Sequence, residues 1–73
     1  MNQRWESRIE LNPKVLGGKP VIRGTRISVD LILGSLAEGI SYDEIKSEYG
    51  IKQDDIRAAL AYASASLSGE EVA

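Results

Sequence analysis

Arg8, Ile9, Glu10 and Leu11 alternate charged and apolar residues, which is the period of a half-buried strand, and Pro13 closes it. Val21-Ile22-Arg23 is a second short strand candidate. The adjacent Gly17 and Gly18 between them can take positive φ and reverse the chain, so the two segments are expected to form a loose hairpin. Gly24, just beyond, marks a bulge or a close approach by another backbone.

From Ser28 onward the period changes. Ser28 is a good helix N-cap, Asp30 favours the positive end of the dipole, and Val29, Ile32, Leu33 and Leu36 repeat at helical spacing until Gly39. Ser41-Tyr42-Asp43-Glu44 is a capping box, with Ile40 and Ile45 spaced as the flanking staple, so a second helix begins at Tyr42 and stops at Gly50. A third helix runs through Ile56, Ala59, Leu60, Ala63 and Leu67 in an alanine-rich stretch. Lys52 is a poor cap for it, standing where Ser or Thr would serve.

Two helices joined at a tight glycine are a helix-turn-helix arrangement. With Gly50 as the turn, Ile45, Tyr49, Ile51, Ile56 and Ala59 fall at the positions that must be apolar for the helices to cross. Lys46 departs from the pattern, where close packing favours a small residue. A plain three-helix bundle is the alternative.

Length and composition narrow the function. A chain of 73 residues forms one domain and buries only about 60% of its unfolded surface, so dimerisation or a stable complex is expected. With no Cys and no His there is no disulfide, no thiolate metal site and no histidine base, which disfavours an enzyme and any metal or cofactor. The N-terminus lacks the apolar run of a signal peptide and no stretch is long enough for a membrane span, which fits a reducing, cytoplasmic compartment.

The net charge of -2 conceals a division. Residues 1 to 29 carry Arg4, Arg8, Lys14, Lys19, Arg23 and Arg26 against Glu6 and Glu10, a balance of +4, whereas residues 30 to 73 balance at -6. Such asymmetry can mark a contact surface for nucleic acid or a charged protein. On the third helix, Lys52, Gln53 and Arg57 are the candidate DNA-binding residues, since Gln pairs bidentately with adenine and Arg with guanine. Asp54 and Asp55 would repel phosphates there. Trp5 is expected to pack against the bundle or a dimer partner, the three tyrosines to lie at the core edge, and Asp54, Asp55, Glu70 and Glu71 to serve as dipole-favourable, solubilising charges.

Asn12-Pro13, the run from Gly17 to Ile27, Gly39-Ile40-Ser41 and the helix holding Ala59 to Ala63 together resemble the domain-of-unknown-function 433 family over roughly residues 7 to 66. The resemblance implies a mainly α fold: a three-helix, homeodomain-like helix-turn-helix bundle over 28 to 67, preceded by a short β-hairpin arm over 7 to 27; beyond it, the small and acidic residues over 68 to 73 read as a fraying tail. It further implies an antitoxin of the VapB kind that neutralises a PIN-like nuclease toxin and represses its own operon as a homodimer. A stand-alone DNA-binding regulator is the alternative. Because such a nuclease holds divalent metal with clustered carboxylates, the arm cations Lys19, Arg23 and Arg26 are the candidate toxin-binding residues.

Overall fold

The computed structural model describes residues 5–69. A 3₁₀ turn at Trp5–Ser7 leads into strand β1 (Ile9–Leu11), a loop containing a tight turn at Leu16–Gly18, and strand β2 (Pro20–Ile22). Helices α1 (Val29–Ala37), α2 (Tyr42–Tyr49) and α3 (Gln53–Leu67) follow. The mainly helical architecture with a leading two-stranded hairpin is the one expected.

The strands pair antiparallel with Ile9 opposite Ile22, Glu10 opposite Val21 and Leu11 opposite Pro20. This register turns Ile9 and Ile22 into the core, while Val21 is buried on the other face, where it bridges to Ser28 at the entrance to α1. In the connecting loop, Leu16, Gly17 and Gly18 all take positive φ, at 49°, 66° and 90°. The reversal expected of the glycines therefore begins one residue earlier, on a leucine. Gly24 differs from expectation: it occupies a turn closed by Thr25 N–H donating to Ile22 C=O at 3.0 Å, with φ +79° and open space where a side chain would stand. Its role is the left-handed backbone, and the approach it receives is the Glu10 carboxylate on β1, which accepts from its N–H at 3.4 Å.

Local chemistry sets each helix end. Ser28 Oγ accepts from Leu31 N–H at 3.2 Å and also donates to Asp30. Helix α1 closes in a Schellman arrangement, Gly39 N–H donating to Leu36 C=O and Ile40 N–H to Ser35 C=O. The capping box of α2 is complete, with Ser41 Oγ accepting from Glu44 N–H and Glu44 accepting from Ser41 N–H. Gly50 ends α2 in the left-handed region at φ 66°. At the start of α3 only half a box exists. The Lys52 ammonium has no acceptor to offer, but the Asp55 carboxylate accepts from Lys52 N–H at 3.0 Å and replaces the missing cap from within the helix.

The core is built on Ile32, Ile45 and Ile56, each fully buried, with Val29, Ile51, Ala58 and Ala59 around them. Burying an isoleucine contributes roughly 1.5–3 kcal/mol, so these three contacts dominate the helix packing. Of the five predicted crossing positions, Ile45, Ile51, Ile56 and Ala59 are buried, and Tyr49 packs against the cluster with Tyr42 and Tyr62. Lys46 is accommodated by extending its ammonium outward to Asp43 (3.3 Å) and Gln53 (3.4 Å). Ser68 and Gly69 close α3, and the remainder of the expected acidic tail lies outside the described residues. Among the described residues no helix is long and apolar enough to cross a membrane.

Candidate functional site

Arg23 organises the N-terminal turn. Its Nε donates to Ser7 C=O (3.1 Å), and its Nη2 donates to Glu6 C=O (3.1 Å) and Ile9 C=O (3.2 Å). One guanidinium thus satisfies three carbonyls that the short strand and turn leave without ladder partners, and it fastens the turn carrying Trp5 to the hairpin. The turn then lies against α3, where Trp5 meets Tyr62 edge to face with ring centroids 4.9 Å apart. The expected packing of Trp5 on the bundle is observed.

Arg8 joins the two charge halves. Its Nη1 donates to Asp55 Oδ1 at 2.9 Å, and its Nη2 lies 3.6 Å from Asp54 Oδ2. Asp55 is 8% exposed, so it is an internal tether between the entrance to β1 and α3, and the expectation that it solubilises the surface is corrected.

Between the turn and α3 opens a cleft of about 680 Å³ lined by Trp5, Ser7, Arg8, Asp54, Arg57, Ala58 and Ala61. Arg57 is exposed and has no ion-pair partner among the described residues. Gln53 and Arg57, four positions apart, share one helix face, with Lys52 exposed at its leading end. The three proposed DNA contacts are therefore neighbours, and Arg57 also borders the cleft.

The arm cations do not form one group. Lys19 precedes β2 and Arg23 follows it, roughly 13 Å apart at the rise of a strand. Lys19 pairs with Asp30 at 3.3 Å in an exposed contact, Arg23 is engaged as above, and Arg26 is exposed on the turn with no ion-pair partner among the described residues. Together with a hydrogen bond from Ser28, Lys19 holds the Asp30 carboxyl below its ordinary value, the Ser28 bond being the larger cause. The cleft residues Trp5 and Arg8 carried no site signal in the sequence, because their partners Tyr62, Asp54 and Asp55 lie at the far end of the chain. No group of three or more carboxylates among the described residues converges to hold a metal.

Residues 9–63 match the model of the family described as Protein of unknown function (DUF433). The chain belongs to this family. It is 31% identical over 58 residues to a Mycobacterium tuberculosis (strain ATCC 25618 / H37Rv) protein named "Putative antitoxin VapB45", an alignment covering 80% of the chain and 24% of that protein. The chain thus spans about a quarter of that relative's length. A crystal structure of a DUF433 member protein from Anabaena variabilis ATCC 29413 superposes with a TM-score of 0.78 at 31% identity, covering 84% of this chain and 61% of that one.

Proposed function

We propose that this DUF433 chain is an antitoxin that binds and neutralises a PIN-like nuclease toxin and, as a homodimer, represses its own operon through α2 and α3. The likeness to the mycobacterial antitoxin over 80% of the chain carries the reading. In the operator complex Gln53 and Arg57 read base edges while Lys52 contacts a phosphate. The pairing of Arg8 with Asp54 and Asp55 supports this role, since it offsets the acidic pair that would otherwise repel the DNA backbone beside Arg57. On the arm, Arg26 is the leading contact for the toxin's carboxylates and Lys19 joins it by exchanging Asp30, whereas Arg23 acts by holding the arm in shape.

Co-expression with a PIN-like nuclease encoded in the same operon tests the neutralising half: growth rescue and co-purification are expected, and the lack of such a neighbour, or toxicity undiminished by the chain, overturns it. A gel shift of the promoter fragment across salt concentrations tests the other half, with binding expected to weaken steeply as salt rises. The stand-alone regulator is the second reading. It is favoured by the engagement of Lys19 and Arg23 within the fold while Arg57 stays open, and a promoter shift without toxin rescue would select it.

A further inference from the structure

The cleft between the Trp5–Ser7 turn and α3 combines three kinds of surface. Arg57 presents an exposed guanidinium without an ion partner among the described residues. Asp54, with a side chain 68% exposed, presents carboxylate oxygens held only by a loose 3.6 Å contact to Arg8. Trp5, Ala58 and Ala61 supply an apolar floor, which stays open because both helix positions carry only a methyl group. A volume of about 680 Å³ falls within the usual small-ligand range of about 300–1,000 Å³.

We propose that this cleft binds an acidic peptide segment of a protein partner. Arg57 holds a carboxylate through its planar fork, Asp54 accepts from a neighbouring backbone N–H, and Trp5 with Ala61 covers an adjacent aliphatic side chain. The mixed lining selects this occupant. A nucleic-acid backbone presents acceptors alone and leaves the Asp54 oxygens without a donor, and a small anion leaves the apolar floor uncovered. A peptide offers an acceptor, a donor and an apolar group within two or three residues. Arg8 is already spent on Asp55 and Asp54, so Arg57 is the cation the lining leaves open, whereas the exposed face of α2 carries Asp43, Glu44 and Glu48. An acidic segment is therefore drawn to the cleft in preference to its surroundings. The inference stands apart from the antitoxin reading and holds whether or not a toxin is the partner.

Trp5 is the only tryptophan of the chain and lies in the cleft wall, so its fluorescence reports occupancy directly. The full chain is titrated with a capped Glu-Leu-Glu peptide, its Gln-Leu-Gln analogue, inorganic phosphate and a short oligothymidylate. A saturable change is expected with the acidic peptide, weaker by about tenfold or more for the Gln analogue and for Arg57→Gln, each of which removes one charge-assisted contact. Ala61→Gln, which obstructs the floor and alters no assigned DNA contact, is expected to weaken it similarly, with circular dichroism confirming that each variant is folded. Equal binding of the Gln analogue, an unchanged titration in both variants, or no response up to about 10 mM peptide overturns the proposal. A stronger response to phosphate or oligothymidylate overturns it in favour of nucleic acid, and neither result bears on toxin rescue.

Discussion

Arg8 and Asp55, separated by 47 positions, are joined by a 2.9 Å charge-assisted hydrogen bond that ties the turn leading into β1 to the first turn of α3. The other oxygen of Asp55 caps the Lys52 N–H, so one buried carboxylate serves both the tether and the helix start. Removing Arg8 strands a mostly buried charge, but Arg8 itself is 36% exposed at its side chain, which places the effect between surface and buried pairs. Arg8→Ala is expected to cost about 1–2 kcal/mol, and Asp55→Ala about 2–3 kcal/mol because it also loses the cap. Asp55→Asn keeps the cap acceptor and should resemble Arg8→Ala. Urea unfolding of the two alanine variants and their double mutant checks this. A coupling near zero would show that the pair contributes nothing beyond its separate parts.

Arg23 and Arg26 lie three residues apart, yet they predict opposite outcomes. Arg23→Lys retains the charge but not the fork that spans three carbonyls, so it should lower stability by about 1–2 kcal/mol. Arg26→Ala should leave stability within about 0.5 kcal/mol of the original. Thermal melts separate the two. Any loss of toxin binding in Arg26→Ala then reports a lost contact, whereas a loss in Arg23→Lys must be read against its stability.

The contrast between these arginines shows what local pattern reveals and what it does not. The capping box at Ser41 and Glu44, the stop at Gly50 and the apolar crossing set around Ile45 and Ile56 are all settled within a few residues, and sequence reasoning found them. The weak cap at Lys52 was half legible, because an aspartate at the third helical position was already present to replace it. Arg23 stands in the sequence as a candidate toxin contact beside Arg26, and its structural role is hidden there because the carbonyls it satisfies, at Glu6, Ser7 and Ile9, become orphaned only once the turn and strand have formed. The cleft was invisible for a related reason. Trp5 with Tyr62 and Arg8 with Asp55 are brought together by the return of α3 across the hairpin, and no periodicity encodes that.

Two glycines offer a paired test of backbone and space. Gly34 lies within α1 with helical backbone and nothing within 4 Å of an added Cβ, so Gly34→Ala should stabilise by about 0.5–1 kcal/mol. Gly50 has equally open surroundings, but its φ of +66° penalises any Cβ, so Gly50→Ala should destabilise by about 1 kcal/mol. Opposite signs in denaturant midpoints are the expected result. If both substitutions stabilise, the left-handed closure of α2 is not the constraint that sets the α2–α3 turn.

Acid should weaken the entrance to α1 through Asp30. The hydrogen bond from Ser28 and the contact with Lys19 lower its pKa in the fold, so the folded state favours the ionised carboxylate more than the unfolded chain does. The sign follows from linkage: the contribution is fully present above the unfolded aspartate value of about 3.9 and is lost as pH falls through the lower folded value. Asp30→Asn should therefore be less stable than the original at neutral pH, and the difference should narrow as pH drops below about 4. Because Asp30 is exposed, added salt should shrink the Lys19 part of the gap and leave the Ser28 part. Chemical denaturation at matched pH values and two salt concentrations measures both dependences, and a gap that persists unchanged into acid would exclude the ionised carboxylate as its source.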